Sequence, residues 1–149
     1  MHHYARPLAE HVPAIFGVGY EGTSLADLID RLHGLGVTHV ADVRLNPVSR
    51  KPGMSKNKLR AALANADIEY LHLRSLGNPK ENRPGFARPG PARQAALDTY
   101  SRILDRPDAQ AALDELQTLA QTGRVALLCF ESDPAACHHQ AILARLAEG

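Results

Sequence analysis

The stretch CFESDPAACHHQ, Cys129 to Gln140, holds both cysteines of the chain, two of its eight histidines and two carboxylates. Thiol, imidazole and carboxylate are the groups of nucleophilic and acid–base catalysis, and thiol and imidazole also ligate metals. Imidazole titrates nearest neutral pH, so His138 is a candidate acid or base. Cys137 is a candidate nucleophile, and Glu131 a candidate orienter or base. Asp133 before Pro134 predicts the N-cap and first residue of a helix running to about Ala147. Cys137 then falls near the end of the first turn, where the helix N-terminus lowers a thiol's pKa. On that helix Ile142, Leu143 and Leu146 define the core face; His139 points the same way, Cys137 points opposite and His138 lies at the edge. Cys137 is therefore expected on an open lip or against a neighbouring element through a small-residue face. A plain N-cap carrying a structural cysteine accounts for the same residues, and both readings stay open.

Metal binding and a cysteine-phosphatase loop fit this stretch less well. Cys129, inside an apolar run, reads as an inert buried thiol. Cys129, Cys137, His138 and His72 are suitable ligand types, but neither CxxC nor HxxxH spacing occurs, so no metal and no cofactor are expected. No arginine follows either cysteine at the distance of a cysteine-phosphatase loop, the next after Cys137 being Arg145.

The basic residues form a second set. Between Asp42 and Arg60 six Lys/Arg face one acid, and between Arg74 and Arg93 five face Glu81 alone. The rest of the chain carries six bases against fourteen acids, although the net charge is only +1. Such segregation focuses a positive potential on one surface and suits an anionic ligand, a small molecule or a nucleic acid. Solvated loops that happen to be basic are the plain alternative. Asp42 and Arg44, two apart on an extended chain, fall on one side. Arg44 could clamp a phosphate or carboxylate in bidentate fashion, or close the strand end as an ion pair with Asp42, and the two roles are compatible.

Positioning these groups needs a scaffold, and the apolar pattern supplies one. Short apolar runs at Ala14–Tyr20, Val37–Arg44, Ile68–Leu73 and Arg124–Phe130 read as strands. Between them TSLADLIDRLHGLG and SKNKLRAALANA carry apolar residues at helical spacing, as do stretches near Ala92–Leu104 and Asp108–Gln121. Strands that are apolar throughout and alternate with helices predict an α/β fold: a single-domain three-layer sandwich over residues 1–149. Its mostly parallel sheet of four to five strands is covered by helices on both faces. Residues 1–13 read as a loosely ordered N-terminal segment. The Gly-, Pro- and Arg-rich segment 74–93 is too long for a structureless connection without work to do.

In open parallel sheets ligands bind beyond the carboxyl ends of the strands. Gly19 and Tyr20, Asp42 and Arg44 with the following loop to Arg50, His72, and Glu131 with Cys137 and His138 all fall there. The expected site therefore takes His72, Glu131, Cys137 and His138 for catalysis and Gly19, Tyr20, Asp42, Arg44 and Arg50 for anion binding. The glycines of GVGYEG lack dinucleotide-binding spacing and are expected to let something approach the backbone closely or to make a tight turn. Aromatics are scarce at 5%, and Tyr20, Tyr70 and Phe86 are those expected near the site.

Composition bounds the rest. At 149 residues, 44% hydrophobic and 22% charged, the chain has the make-up of a soluble globular domain. No apolar run is long enough to span a membrane, the N-terminus lacks a signal-peptide layout, and two cysteines make no disulfide framework. A cytoplasmic location with reduced thiols is expected.

Taken together, GVGYEG, ADVRLNPVSR, IEYLHLRSLGNP and LLCFESDPAACHH resemble the family called "domain of unknown function 488" over roughly Ile15 to Leu146. The resemblance marks Gly17, Gly19, Asp42, Arg44, Pro47, Ser49, Arg50, Tyr70, His72, Leu76, Gly77, Cys129, Glu131, Pro134, Cys137 and His138. Asn78 stands where the family pattern has a second glycine, and His139 where it has arginine. The resemblance implies the fold and one polar site without supplying a reaction. An enzyme acting on a phosphate-bearing substrate, a nucleotide or nucleic acid end, is the leading expectation. A non-catalytic nucleic-acid or nucleotide binding module, or a protein-interaction domain docking through segment 74–93, would use the same residues differently.

Overall fold

The computed structural model describes residues 13–131, 133 and 136–148. The expected N-terminal segment and Pro134 thus fall wholly or largely outside the described residues. The chain alternates β1 (Ile15–Gly19), α1 (Leu25–Gly34), β2 (His39–Asp42), α2 (Lys56–Asn65) and β3 (Glu69–His72). After α3 (Arg83–Phe86) come α4 (Pro91–Leu104), α5 (Pro107–Ala120), β4 (Val125–Cys129) and α6 (His139–Glu148). The four strands form one sheet in the order β1-β4-β2-β3, every pair parallel.

β4 lies in the interior of the sheet and all five of its residues are buried, which is why it reads as an unbroken apolar run. Alternate residues of it serve opposite faces. Ala126 and Leu128 join Leu28 and Leu32 of α1 and Leu59 and Leu63 of α2 in one core. Val125, Leu127 and Cys129 join Tyr100 of α4, Leu116 of α5 and Ile142 of α6 in the other. The result is an α/β sandwich of three layers, as the sequence pattern predicts. No helix among the described residues is long and apolar enough to cross a membrane.

Local signals explain most boundaries. Ser24 caps α1 by accepting a hydrogen bond from the Asp27 amide at 3.1 Å. Segment 74–93 is not structureless: it folds into 3-10 turns at Arg74–Leu76 and Lys80–Asn82, followed by α3. Its base is pinned where the buried Tyr100 hydroxyl donates to the Leu76 carbonyl at 2.5 Å. Gly77 permits a close approach, since a Cβ there would lie 2.5 Å from the Leu45 Cα.

The last helix departs from expectation. It begins at His139 rather than near Pro134, so Cys137 and His138 precede it instead of occupying its first turn. The His138 carbonyl accepts from the Ala141 amide at 3.0 Å, while its side chain is held by the Val43 carbonyl just past β2 and Cys137 is held by Cys129. These tertiary ties keep the backbone out of the helix that the Asp-Pro pair favours locally.

Candidate functional site

The registers bring Gly19 opposite Cys129, and Asp42 opposite both Leu128 and His72. Four strand ends thus stand in one row, with everything that follows them on the same edge. A cleft of about 280 Å³ opens there, and its walls include Tyr20, Arg44, Arg50, Arg83, Glu131 and His138. Five of the nine residues expected at the site line it. Gly19, Asp42, His72 and Cys137 do not.

Asp42 is fully buried and carries the network below the cleft. Its Oδ1 accepts from Arg44 Nε at 2.8 Å and from the Arg44 amide at 3.1 Å. Its Oδ2 accepts from Arg44 Nη2 at 2.7 Å and from the Tyr70 hydroxyl at 2.5 Å. Burial alone would lower the pKa of Arg44, but the Asp42 hydrogen bonds and charge overcome it and raise the pKa above the ordinary arginine value. Arg44 Nη1 donates to the Tyr20 hydroxyl at 3.2 Å. Arg44 thus makes the expected ion pair with Asp42, and the residue also lines the cleft.

Two histidines brace the chain just past the end of β2. His72 Nε2 lies 2.7 Å from the Arg44 carbonyl, and His138 Nε2 lies 2.8 Å from the Val43 carbonyl. A carbonyl only accepts, so each Nε2 carries its proton. His72 is thereby committed to backbone support away from the cleft. His138 packs edge-on against Tyr100, with ring centres 5.2 Å apart, and burial pushes its pKa down to about 4. Its Nδ1 lies 3.7 Å from Cys137 Sγ.

Glu131 is half-buried on the wall. Desolvation raises its pKa, and a hydrogen bond from its own backbone and the charge of Arg83 partly offset that rise. The loop carrying Arg50 is tied by Ser55, whose hydroxyl accepts from the Ser49 amide at 3.0 Å and donates to the Ser49 carbonyl at 3.2 Å. Asn78 also lines the cleft and accepts from Asn82 at 2.9 Å. Arg83, Asn78 and Phe130 are lining residues beyond those named from the sequence. Arg83 was legible only as a member of a basic segment.

The aromatics are redistributed. Phe86 is buried in the core and Tyr70 is committed to Asp42. Phe130, 44% exposed, stands on the cleft wall against Tyr20 instead. The cysteines also depart from expectation, for Cys129 and Cys137 are joined sulfur to sulfur rather than both reduced. The turn before α6 folds Cys137 back over the end of β4 and buries it.

A parallel α/β sheet with a cationic cleft at its carboxyl edge is the class of protein that these features define. The family model for the domain of unknown function DUF488 matches residues 24–146, and the chain belongs to that family. No curated protein and no solved structure matches it.

Proposed function

We propose that the chain is an enzyme acting on an anionic, phosphate-bearing substrate, a nucleotide or the end of a nucleic acid. The observation that carries this reading is the convergence of three guanidinium groups, Arg44, Arg50 and Arg83, on one cleft with Glu131 as the carboxylate in its lining. Arg44 is held by Asp42 and needs no reorganisation to meet an anion, the arrangement that makes fixed cations effective in catalysis. Arg50 and Arg83 are exposed, one on the loop after β2 and the other at the start of α3, and close on the anion from two sides. Glu131 stands where it can exchange a proton with bound substrate. The exposed Phe130 ring and Val48, 79% exposed, offer a rim on which a base can stack. Cys137 is sealed behind Cys129, so the sulfur at the cleft is that of Cys129.

Calorimetric titration with nucleoside monophosphates, inorganic phosphate and an uncharged nucleoside tests this. Arg83→Ala and Arg50→Ala are each expected to weaken nucleotide binding about tenfold, the loss of one charge-assisted hydrogen bond. An uncharged nucleoside binding as tightly as its phosphate, or arginine variants binding like the parent chain, would overturn the reading.

One observation favours a second reading. A basic groove along residues 47–58, lined by Lys51, Lys56 and Lys58, shares Val48, Ser49 and Arg50 with the cleft. A polyanion entering the cleft could continue along it, as a non-catalytic nucleic-acid binding module would require. Binding would then fall steeply with salt, by a log–log slope of about −0.9 per phosphate on duplex DNA. No mobility shift at low salt would remove this alternative.

A further inference from the structure

Beneath the cleft lies a cluster that anion binding does not use. Cys129 Sγ, Cys137 Sγ and a ring nitrogen of His139 all lie within 4.8 Å of one another, and all three residues are buried. His139 Nδ1 is 3.1 Å from Cys129 Sγ. The imidazole reaches this place only because residue 17 lacks a side chain: a Cβ on Gly17 would lie 2.0 Å from His139 Cδ2. A disulfide needs no imidazole beside it, and the Cα atoms of the pair are 7.0 Å apart, just past the usual span of about 4.4–6.8 Å for a direct bond.

We propose that, in the reduced protein, Cys129, Cys137 and His139 bind a zinc ion whose fourth coordination position faces the cleft. Two thiolates and one imidazole are the ligand chemistry that selects zinc over magnesium or calcium. Three protein ligands with one position open is the pattern of reactive rather than purely structural zinc. Cys129 is the ligand that lines the cleft, so the cleft is the path by which water or a substrate oxygen reaches the ion. His138, with Nε2 on the Val43 carbonyl and Nδ1 towards Cys137, holds the turn that presents Cys137.

The two states interconvert by balanced chemistry. A dithiol reductant supplies two electrons and two protons, the Cys129–Cys137 bond breaks to give two thiols, and the reductant leaves as its own disulfide. Zinc then displaces both thiol protons to water as two sulfur–zinc bonds form. The sulfurs separate from about 2.05 Å to about 3.75 Å, the spacing of tetrahedral ligands.

The full chain, purified under a phosphine reductant and titrated to confirm two free thiols, is expected to carry one zinc per chain by elemental analysis. Cobalt(II) substitution is expected to give the intense visible bands of a tetrahedral site together with thiolate-to-metal charge transfer. Cys137→Ser and His139→Asn should each weaken the metal by more than the roughly 10–100-fold that an outer-sphere change costs, whereas Arg50→Ala should leave it unchanged. Should the cysteine variant fail to fold, protection of the parent chain's thiols from iodoacetamide by zinc supplies the same evidence. Fully reduced protein without zinc and without a tetrahedral cobalt spectrum overturns the proposal, as does iron or copper in its place. Because the metal is measured without substrate, this outcome is independent of whether the cleft binds phosphate.

Discussion

Asp42→Ala is expected to destabilise the protein by about 3–5 kcal/mol, the cost of leaving a buried charge without its partner. Asp42 is fully buried, and Arg44 is only 8% exposed. Removing the carboxylate strands the guanidinium and leaves the Tyr70 hydroxyl without its acceptor, so the loss exceeds that of a single hydrogen bond. The double variant Asp42→Ala/Arg44→Met removes both charges and is expected to recover part of the loss, although it abolishes the fixed cation. Urea denaturation of the three proteins measures this. A single-variant loss below about 1 kcal/mol would mean that Arg44 finds water or another acceptor, against its being a fixed cation held by Asp42.

Gly17→Ala is expected to cost about 3 kcal/mol, at the upper end for overpacking by one methyl. The His139 ring occupies the space of the missing Cβ, and its Nδ1 side abuts Cys129, so the ring has no simple retreat. In the presence of chelator, Gly17→Ala/His139→Ala is expected to be more stable than Gly17→Ala alone. That coupling is the signature of a direct clash. A Gly17→Ala protein within about 0.5 kcal/mol of the parent would instead mean that the ring can be housed elsewhere.

The layers of the fold were legible because the interior strands are buried on both faces and the helices are not. β4 shows this most clearly, five buried residues in a row. Strand order is not written in such a pattern, so the row of strand ends could be anticipated as an edge but not as a particular sequence of neighbours. At that edge Tyr20, Arg44, Arg50, Glu131 and His138 line the cleft. His72 shows what alternation along a strand cannot say: its ring is spent on the Arg44 carbonyl. Arg83 and Asn78 depend on the 3-10 turns of segment 74–93, whose Gly, Pro and Arg content carries no period.

The glycines of the first strand predict a close approach or a tight turn. At Gly17 a close approach occurs, and what approaches is the ring of His139, a residue that departs from the family pattern. The start of α6 differs from expectation for a related reason. The Asp-Pro signal acts locally, whereas His138 is held by the Val43 carbonyl just past β2, far away in the chain, and Cys137 by Cys129 at the end of β4.

The carboxyl-edge cleft is proposed to receive a phosphate-bearing ligand. Backbone amide NMR during titration with a nucleoside monophosphate tests it most directly. The expected result is saturable shifts clustered at residues 44–50, 78–83 and 129–138, reduced in Arg83→Ala and absent with the uncharged nucleoside. Shifts confined to the opposite end of the sheet, around His39 and Glu69, or no saturable shifts at all, would contradict it.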